Sequence, residues 1–194
     1  MAKHILILQG HPDPEPVHLC HALAMAYERG AAAAGHEVRQ VAIARLDLPF
    51  VLNKADYDGG EANAGITAAQ RDIAWAEHLI IIFPLWQGGL PARLKAFFEQ
   101  ALRPGFATTA VQDGRKWQKK LTGRSARVVI TMGMPALAYR WFYGAHSLKA
   151  LKRNLLGFVG IKPVRASLFG MVESKPERRQ RWLTTMEALG RRGA

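Results

Sequence analysis

Short apolar runs and longer segments of helical spacing alternate from one end of the chain to the other, the pattern of an α/β domain. Lys3 to Gln9 reads as a first strand, followed by a Pro-rich loop, Gly10 to Pro16, and an Ala-rich helix from Val17 to Ala34 that Gly35 caps. Glu37 to Ile43 is the second strand, and a long polar connection with Asp56, Asp58, Gly59 and Gly60 leads to a helix over Thr67 to Glu77. His78 to Phe83 is the third strand. Its centre, Leu79-Ile80-Ile81-Ile82, is too short for a helix and apolar on both faces, as a central parallel strand covered by helices requires. Pro84 ends the strand, Pro91 suits the first turn of the next helix, and Leu94, Phe97, Phe98, Ala101 and Leu102 then recur at helical spacing. After a basic loop, Arg103 to Arg124, come a fourth strand, Ala126 to Thr131, and a Gly/Pro/aromatic loop. A helix over Ser147 to Val159, a fifth strand, Val164 to Phe169, and a terminal helix over Pro176 to Arg191 complete the pattern. Five strands alternating with five helices predict a doubly wound, five-stranded parallel sheet with helices on both faces, in a single domain over residues 1–194.

Right-handed crossovers bring the loops after strands one, three and four to one edge of such a sheet. With the flavodoxin-like order 2-1-3-4-5, the topological switch point lies between strands one and three. The first loop holds His11 and runs into a helix N-terminus, whose free N–H groups and dipole favour a phosphate. Phe83-Pro84-Leu85-Trp86-Gln87-Gly88-Gly89 places a large aromatic and two glycines where a flat, polar-edged heteroaromatic ring fits. Thr131-Met132-Gly133-Met134-Pro135 offers backbone donors and leads to Tyr139, Tyr143 and His146.

Composition narrows the classes. A formal net charge of +12 raises nucleic-acid binding as a rival, but the basic residues are scattered and no recognition-helix, RNA-binding aromatic or zinc-finger motif accompanies them, so no nucleic-acid partner is expected. Cys20 is the only cysteine, which excludes an intramolecular disulfide or a multi-cysteine metal centre and fits a reducing compartment. No metal site is expected. Neither a signal peptide nor a membrane span is predicted, so the expectation is a cytoplasmic protein without stable membrane insertion. Lys95 reads as a solvated helix lysine, and Asp13 and Glu15 sit on a Pro-rich loop without any hydrolase motif.

Several motifs occur in order over Met1 to Gly170: His11-Pro12, Phe83-Pro84-Leu85-Trp86 with Gly89-Leu90-Pro91-Ala92 and Lys95, Gly105-Phe106-Ala107, and Thr131-x-Gly133 followed by Tyr139 and His146. In this the chain resembles the quinone-reductase branch of the flavodoxin-like NAD(P)H dehydrogenases, which includes the flavin oxidoreductases ancillary to potassium-efflux systems. The resemblance implies a cytoplasmic homodimer with non-covalent FMN, FAD being the alternative, reduced by NAD(P)H and reoxidised by a quinone or another flat small-molecule acceptor. An alternative it also implies is a regulatory subunit of a potassium-efflux system with secondary redox activity. By the same resemblance His11, Val17 and His18 would hold the phosphate. Pro84, Leu85, Trp86 and Gln87, with Thr131, Met132 and Gly133, would surround the isoalloxazine, and Tyr139 and His146 would act at its reactive edge. The chain departs from the family where a Ser or Thr and then an Asn usually meet the phosphate: Pro16, Val17 and His18 stand there, and no hydroxyl lies between His11 and His21. One extra residue between Tyr139 and His146, relative to the mammalian-type enzymes, makes Tyr143 the alternative to Tyr139.

Overall fold

The computed structural model describes residues 1–109 and 117–194. Residues 110–116, inside the basic loop expected over 103–124, lie outside the described residues. Five strands form one parallel sheet: β1 (His4–Gln9), β2 (Glu37–Ala42), β3 (His78–Pro84), β4 (Ser125–Met132) and β5 (Val164–Gly170), in the order β2-β1-β3-β4-β5. Both the predicted strand set and its order are observed.

Alternation along the strands sorts the core into two layers, because successive side chains point to opposite faces. Ile5, Ile7, Ile80, Ile82 and Val129 pack under α1 (Leu19–Ala33) and α7 (Pro176–Arg191). Leu6, Leu8, Leu79, Ile81, Val128 and Ile130 pack on the other face, under α3 (Ala64–Trp75), α4 (Ala92–Ala101) and the helical stretch that follows β4. That stretch runs from α5 (His146–Ala150) through a π-helical segment, Leu151–Leu156, into the short α6 (Gly157–Val159). Helix α2 (Lys54–Gly59) was not expected; it is held at its start by the Asn53 side chain, which accepts the Asp56 N–H. Most expected bounds hold to within one or two residues, and three shifts have a visible local cause. The second strand ends at Ala42 where a 3₁₀ turn, Ile43–Arg45, begins. Helix α3 starts at Ala64, capped by Asn63, and Pro91 stands just outside α4 as its cap residue.

Strand ends are in register at the carboxyl edge. Gln9 pairs with Ala42 and with Ile82, Pro84 with Thr131, and Met132 with Gly170. The loops that follow β1, β3 and β4 therefore leave the sheet side by side.

At the opposite edge His78 is buried, with Nδ1 2.7 Å from Ser125 Oγ and Nε2 without a partner. Burial, reinforced by Lys3, Arg127 and Arg165, pushes its pKa down from 6.5 to about 4. The folded chain thus keeps this imidazole neutral, while the unfolded chain protonates it below its ordinary pKa. Its contribution is complete above pH 6.5 and is lost as pH falls toward 4. The expected loss is about 3 kcal/mol by linkage. Urea unfolding at a series of pH values should show it, and His78→Asn, which keeps a polar atom near Ser125, should flatten the profile in that window.

Candidate active site

Gly10 begins the β1–α1 loop at a place where the backbone crosses close to β3. Its N–H donates to the Ile82 carbonyl at 2.7 Å, and a Cβ there would stand 2.8 Å from Leu94 Cδ2 and 2.9 Å from Ile82 O. The crossing pushes His11 inward, where it is 7% exposed, its Nδ1 3.2 Å from both the amide nitrogen and the carbonyl oxygen of Asp13. His18, the cap residue of α1, stacks on His11 with ring centroids 3.9 Å apart, and its Nε2 lies 2.8 Å from Asp13 Oδ2. His21 completes a trio, with centroids 5.5 Å from His11 and 5.9 Å from His18, and its buried Nδ1 has no partner. Burial lowers the pKa of His11, as do His18 and His21, and that of His21 is lowered by burial and by His18. Asp13 is held below the usual carboxylate value by the Glu15 N–H and by His18. No side chain caps the start of α1, so its first N–H groups stay available to a ligand. Val17 is exposed beside them.

The loop after β3 is a tight hairpin. Trp86 and Gly89 exchange two backbone hydrogen bonds, of 3.1 and 2.8 Å, and between them Gln87 and Gly88 both have positive φ, 47° and 75°. Two left-handed residues in sequence make the primed turn that favours Asn-Gly, so Gln87 carries backbone strain. Gln87→Asn is expected to raise stability by about 0.5 kcal/mol, checked by urea denaturation. Trp86 is half-exposed and meets the His11 ring edge-on at 6.2 Å. Leu85 anchors the hairpin to β4 by donating its N–H to Thr131 O at 2.8 Å, and Pro84 is partly buried at the strand's end.

Pleating decides what β4 contributes. The Thr131 hydroxyl turns toward α1 and lies 3.3 Å from Cys20 Sγ, while Met132 turns the other way into the core layer on the opposite face of the sheet. Neither side chain reaches the edge, and exposed Gly133 is the residue there whose backbone is open. Cys20 is itself buried, which pushes its thiol up to about 12, so it remains a neutral packing group. The next turn is clamped by the residues that follow β5: Met171 donates to Met134 O and Val172 to Met132 O.

A π-helical turn, Ala138–Phe142, then brings the aromatic segment back over this edge. Tyr139 is buried, and its hydroxyl lies 2.7 Å from Ser147 Oγ and accepts the Leu148 N–H at 3.2 Å. Left-handed Gly144 and Ala145 turn the chain sharply into α5, so that His146 and Tyr143 stay exposed. Gln87, Gly88, Met134, Tyr139, Tyr143 and His146 enclose a cavity of about 360 Å³. Most of the expected residues thus gather into two neighbouring parts on either side of Trp86, an imidazole cluster at the start of α1 and an aromatic cavity between the β3 and β4 loops, while the side chains of Thr131 and Met132 stay in the core.

His21 was not expected at the site, and Gly88 and Met134 were expected only as parts of their loops. For His21 there was a signal, its spacing of three from His18 on one helix face. Lys95 pairs with Glu99 on the rim of a second, larger cavity of about 420 Å³ between α4 and the helical stretch after β4, lined chiefly by apolar side chains. Among the described residues no group of three or more His, Cys, Asp or Glu is disposed to hold a metal, and no helix is long and apolar enough to cross a membrane.

A parallel sheet in this order, with donors and aromatics gathered at the carboxyl edge over the switch point, defines a doubly wound ligand-binding domain. The chain belongs to the flavodoxin-like fold family, whose profile matches residues 3–189. It is 26% identical over 178 residues to the FMN-dependent NADH:quinone oxidoreductase of Nitratidesulfovibrio vulgaris, covering 84% of this chain and 83% of that protein. Among solved structures it is similar to the NAD(P)H:quinone oxidoreductase of Methanothermobacter marburgensis, with a TM-score of 0.80, 22% identity and 98% and 96% of the two chains covered. It is similar also to an FMN-dependent NADH-azoreductase of Bacillus anthracis in complex with FMN, with a TM-score of 0.75, 17% identity and 99% of each chain covered.

Proposed function

We propose that this chain is a flavin-dependent oxidoreductase, which takes a hydride from NAD(P)H and delivers it to a quinone-like or other flat acceptor. The observation that carries the reading is the pairing at one sheet edge of an anion-suited cluster, His11, His18 and the open start of α1, with the aromatic cavity beside Trp86. The donor set fits FMN: imidazoles and helix N–H groups suit a phosphate, and a half-exposed indole and open backbone at Gly133 suit a flat ring with polar edges. FMN is preferred over FAD because both the N. vulgaris relative and the B. anthracis structure carry FMN in their names.

Bound FMN supplies the two-electron redox chemistry, and the protein supplies binding, orientation and electrostatics. His11, Val17 and His18 hold the phosphate end. Pro84, Leu85, Trp86 and Gln87 form one wall of the ring site, and Gly133 contributes backbone to the other, with Thr131 and Met132 supporting it from inside β4. Nicotinamide and acceptor use the cavity in turn, where Tyr143 and His146 present their polar atoms. Tyr139, whose hydroxyl is committed to Ser147 and Leu148, serves as a wall and holds the start of α5, so the role expected of it passes to its alternative, Tyr143.

Trp141 and Phe142 are 76% and 82% exposed next to the cavity, with Leu137 also open. An apolar patch of this kind marks an interaction surface, and we assign it to a second copy of the chain in a cytoplasmic homodimer. The test is a visible spectrum after incubation with FMN and removal of free flavin, followed by anaerobic addition of NADH or NADPH. Retained flavin that bleaches is the expected result, and failure to retain flavin would overturn the reading. Sedimentation of the same sample should give twice the 21.5 kDa chain mass, and a monomer that retains flavin would remove the homodimer alone.

A further inference from the structure

The segment from Gly10 to Ala24 contains no lysine or arginine, and two carboxylates, Asp13 and Glu15, stand on its loop. A phosphate monoester arriving there carries about two negative charges near neutral pH. Helix N–H groups supply only partial charge, and the segment has no hydroxyl to share the load. What it holds in their place is three imidazoles in mutual contact, one of them almost fully buried and one with an unpartnered buried nitrogen. Resting on the flavin reading above, we propose that this chain captures the phosphate of FMN together with a proton, which His11 or His21 in this cluster takes from solvent as the phosphate binds.

The groups that face the cluster are few. Asp13 bonds to His18 and to His11, and Glu15 lies beyond it on the same loop, donating its N–H to Asp13. From the 3₁₀ turn after β2, Arg45 acts on His21 and disfavours its protonation. Trp86 is the neighbour from the β3 loop and does not titrate. Without ligand, burial and mutual repulsion keep His11 and His21 below their ordinary pKa, so both are largely neutral at pH 7.5. A dianion beside them reverses the balance and favours the imidazolium form. Binding then consumes a proton, and affinity must fall as pH rises.

The test is the dissociation constant of FMN and of riboflavin, by flavin fluorescence, at pH 6.5 and 8.5, with calorimetry in two buffers of different ionisation enthalpy to count protons. FMN should bind about tenfold or more weakly at the higher pH, with about one proton taken up near pH 7.5, and riboflavin should show neither effect. His21→Gln should reduce the FMN slope and leave riboflavin unchanged. An FMN affinity independent of pH, a parallel slope for riboflavin, or no proton uptake would overturn the inference while leaving the flavin reading intact. If neither flavin binds at any pH, the flavin reading itself fails and this inference falls with it.

Discussion

Gly30→Ala and Gly190→Ala are each expected to cost about 3 kcal/mol, the upper end of ordinary overpacking, because both glycines stand where α1 and α7 touch through their backbones. A Cβ on Gly30 would overlap the Glu187 carbonyl of α7, and one on Gly190 would overlap the Tyr27 carbonyl of α1. A flexible side chain can rotate away from such an overlap, but a carbonyl held in a helix cannot. The helices would have to separate, loosening Leu23, Tyr27, Met186 and Leu189, which pack in one cluster. With a urea slope of about 2 kcal/mol per M, the midpoint should drop by about 1.5 M. The double variant should lose less than the sum, since both changes open the same interface. Gly35→Ala provides the contrast: φ is 78° there but nothing lies within 4 Å, so only about 1 kcal/mol of backbone strain is expected. A drop below about 0.5 M for Gly30→Ala would mean that the helices yield more easily than this packing implies. The start of α1 also carries His18, so Gly30→Ala should weaken FMN retention as well.

The strands were legible because the central ones are nearly uninterrupted apolar runs. In β1 and β3 both faces are buried, and only short strands satisfy that in a chain of this length. What escaped was set by single polar residues. Helix α2 lies in a stretch of Asp, Tyr and Gly with poor helix propensity, and α3 begins three residues before the expected Thr67. Asn53 and Asn63 start these two helices through side-chain caps that apolar periodicity does not register. The π-helical segment Leu151–Leu156 also departs from the 3.6 period, although the helical stretch around it was expected. At the site, the loop that carries Trp86 was readable from two glycines after a strand, but its closure into a hairpin with Gln87 at positive φ was not. The inward turn of Thr131 and Met132 was not, because it depends on the phase of β4 pleating at its last residues. The choice between Tyr139 and Tyr143 depended on a π-helical turn that spacing alone does not reveal.

That choice yields a separation of effects. Tyr139→Phe removes the acceptor of the Leu148 N–H and the partner of Ser147 Oγ from a buried position, so stability should fall by about 1 to 2 kcal/mol. Turnover by the surviving folded protein should change by no more than about threefold, since that hydroxyl already serves the start of α5. Tyr143→Phe and His146→Asn should do the reverse. Both side chains line the 360 Å³ cavity from exposed positions, so their loss removes little packing. In the proposed roles each would supply a polar hydrogen where charge develops on the reduced acceptor, and loss of one such donor costs about tenfold to a hundredfold in rate. Steady-state NAD(P)H:quinone assays and thermal melts on the three variants measure the two effects separately. Flavin retention should be unchanged in Tyr143→Phe and His146→Asn, because the histidine cluster proposed to meet the phosphate and the Trp86 hairpin are untouched. If Tyr139→Phe alone abolished turnover without lowering the melting temperature, its hydroxyl would have to leave Ser147 during the reaction, and Tyr139 rather than Tyr143 would be the catalytic tyrosine.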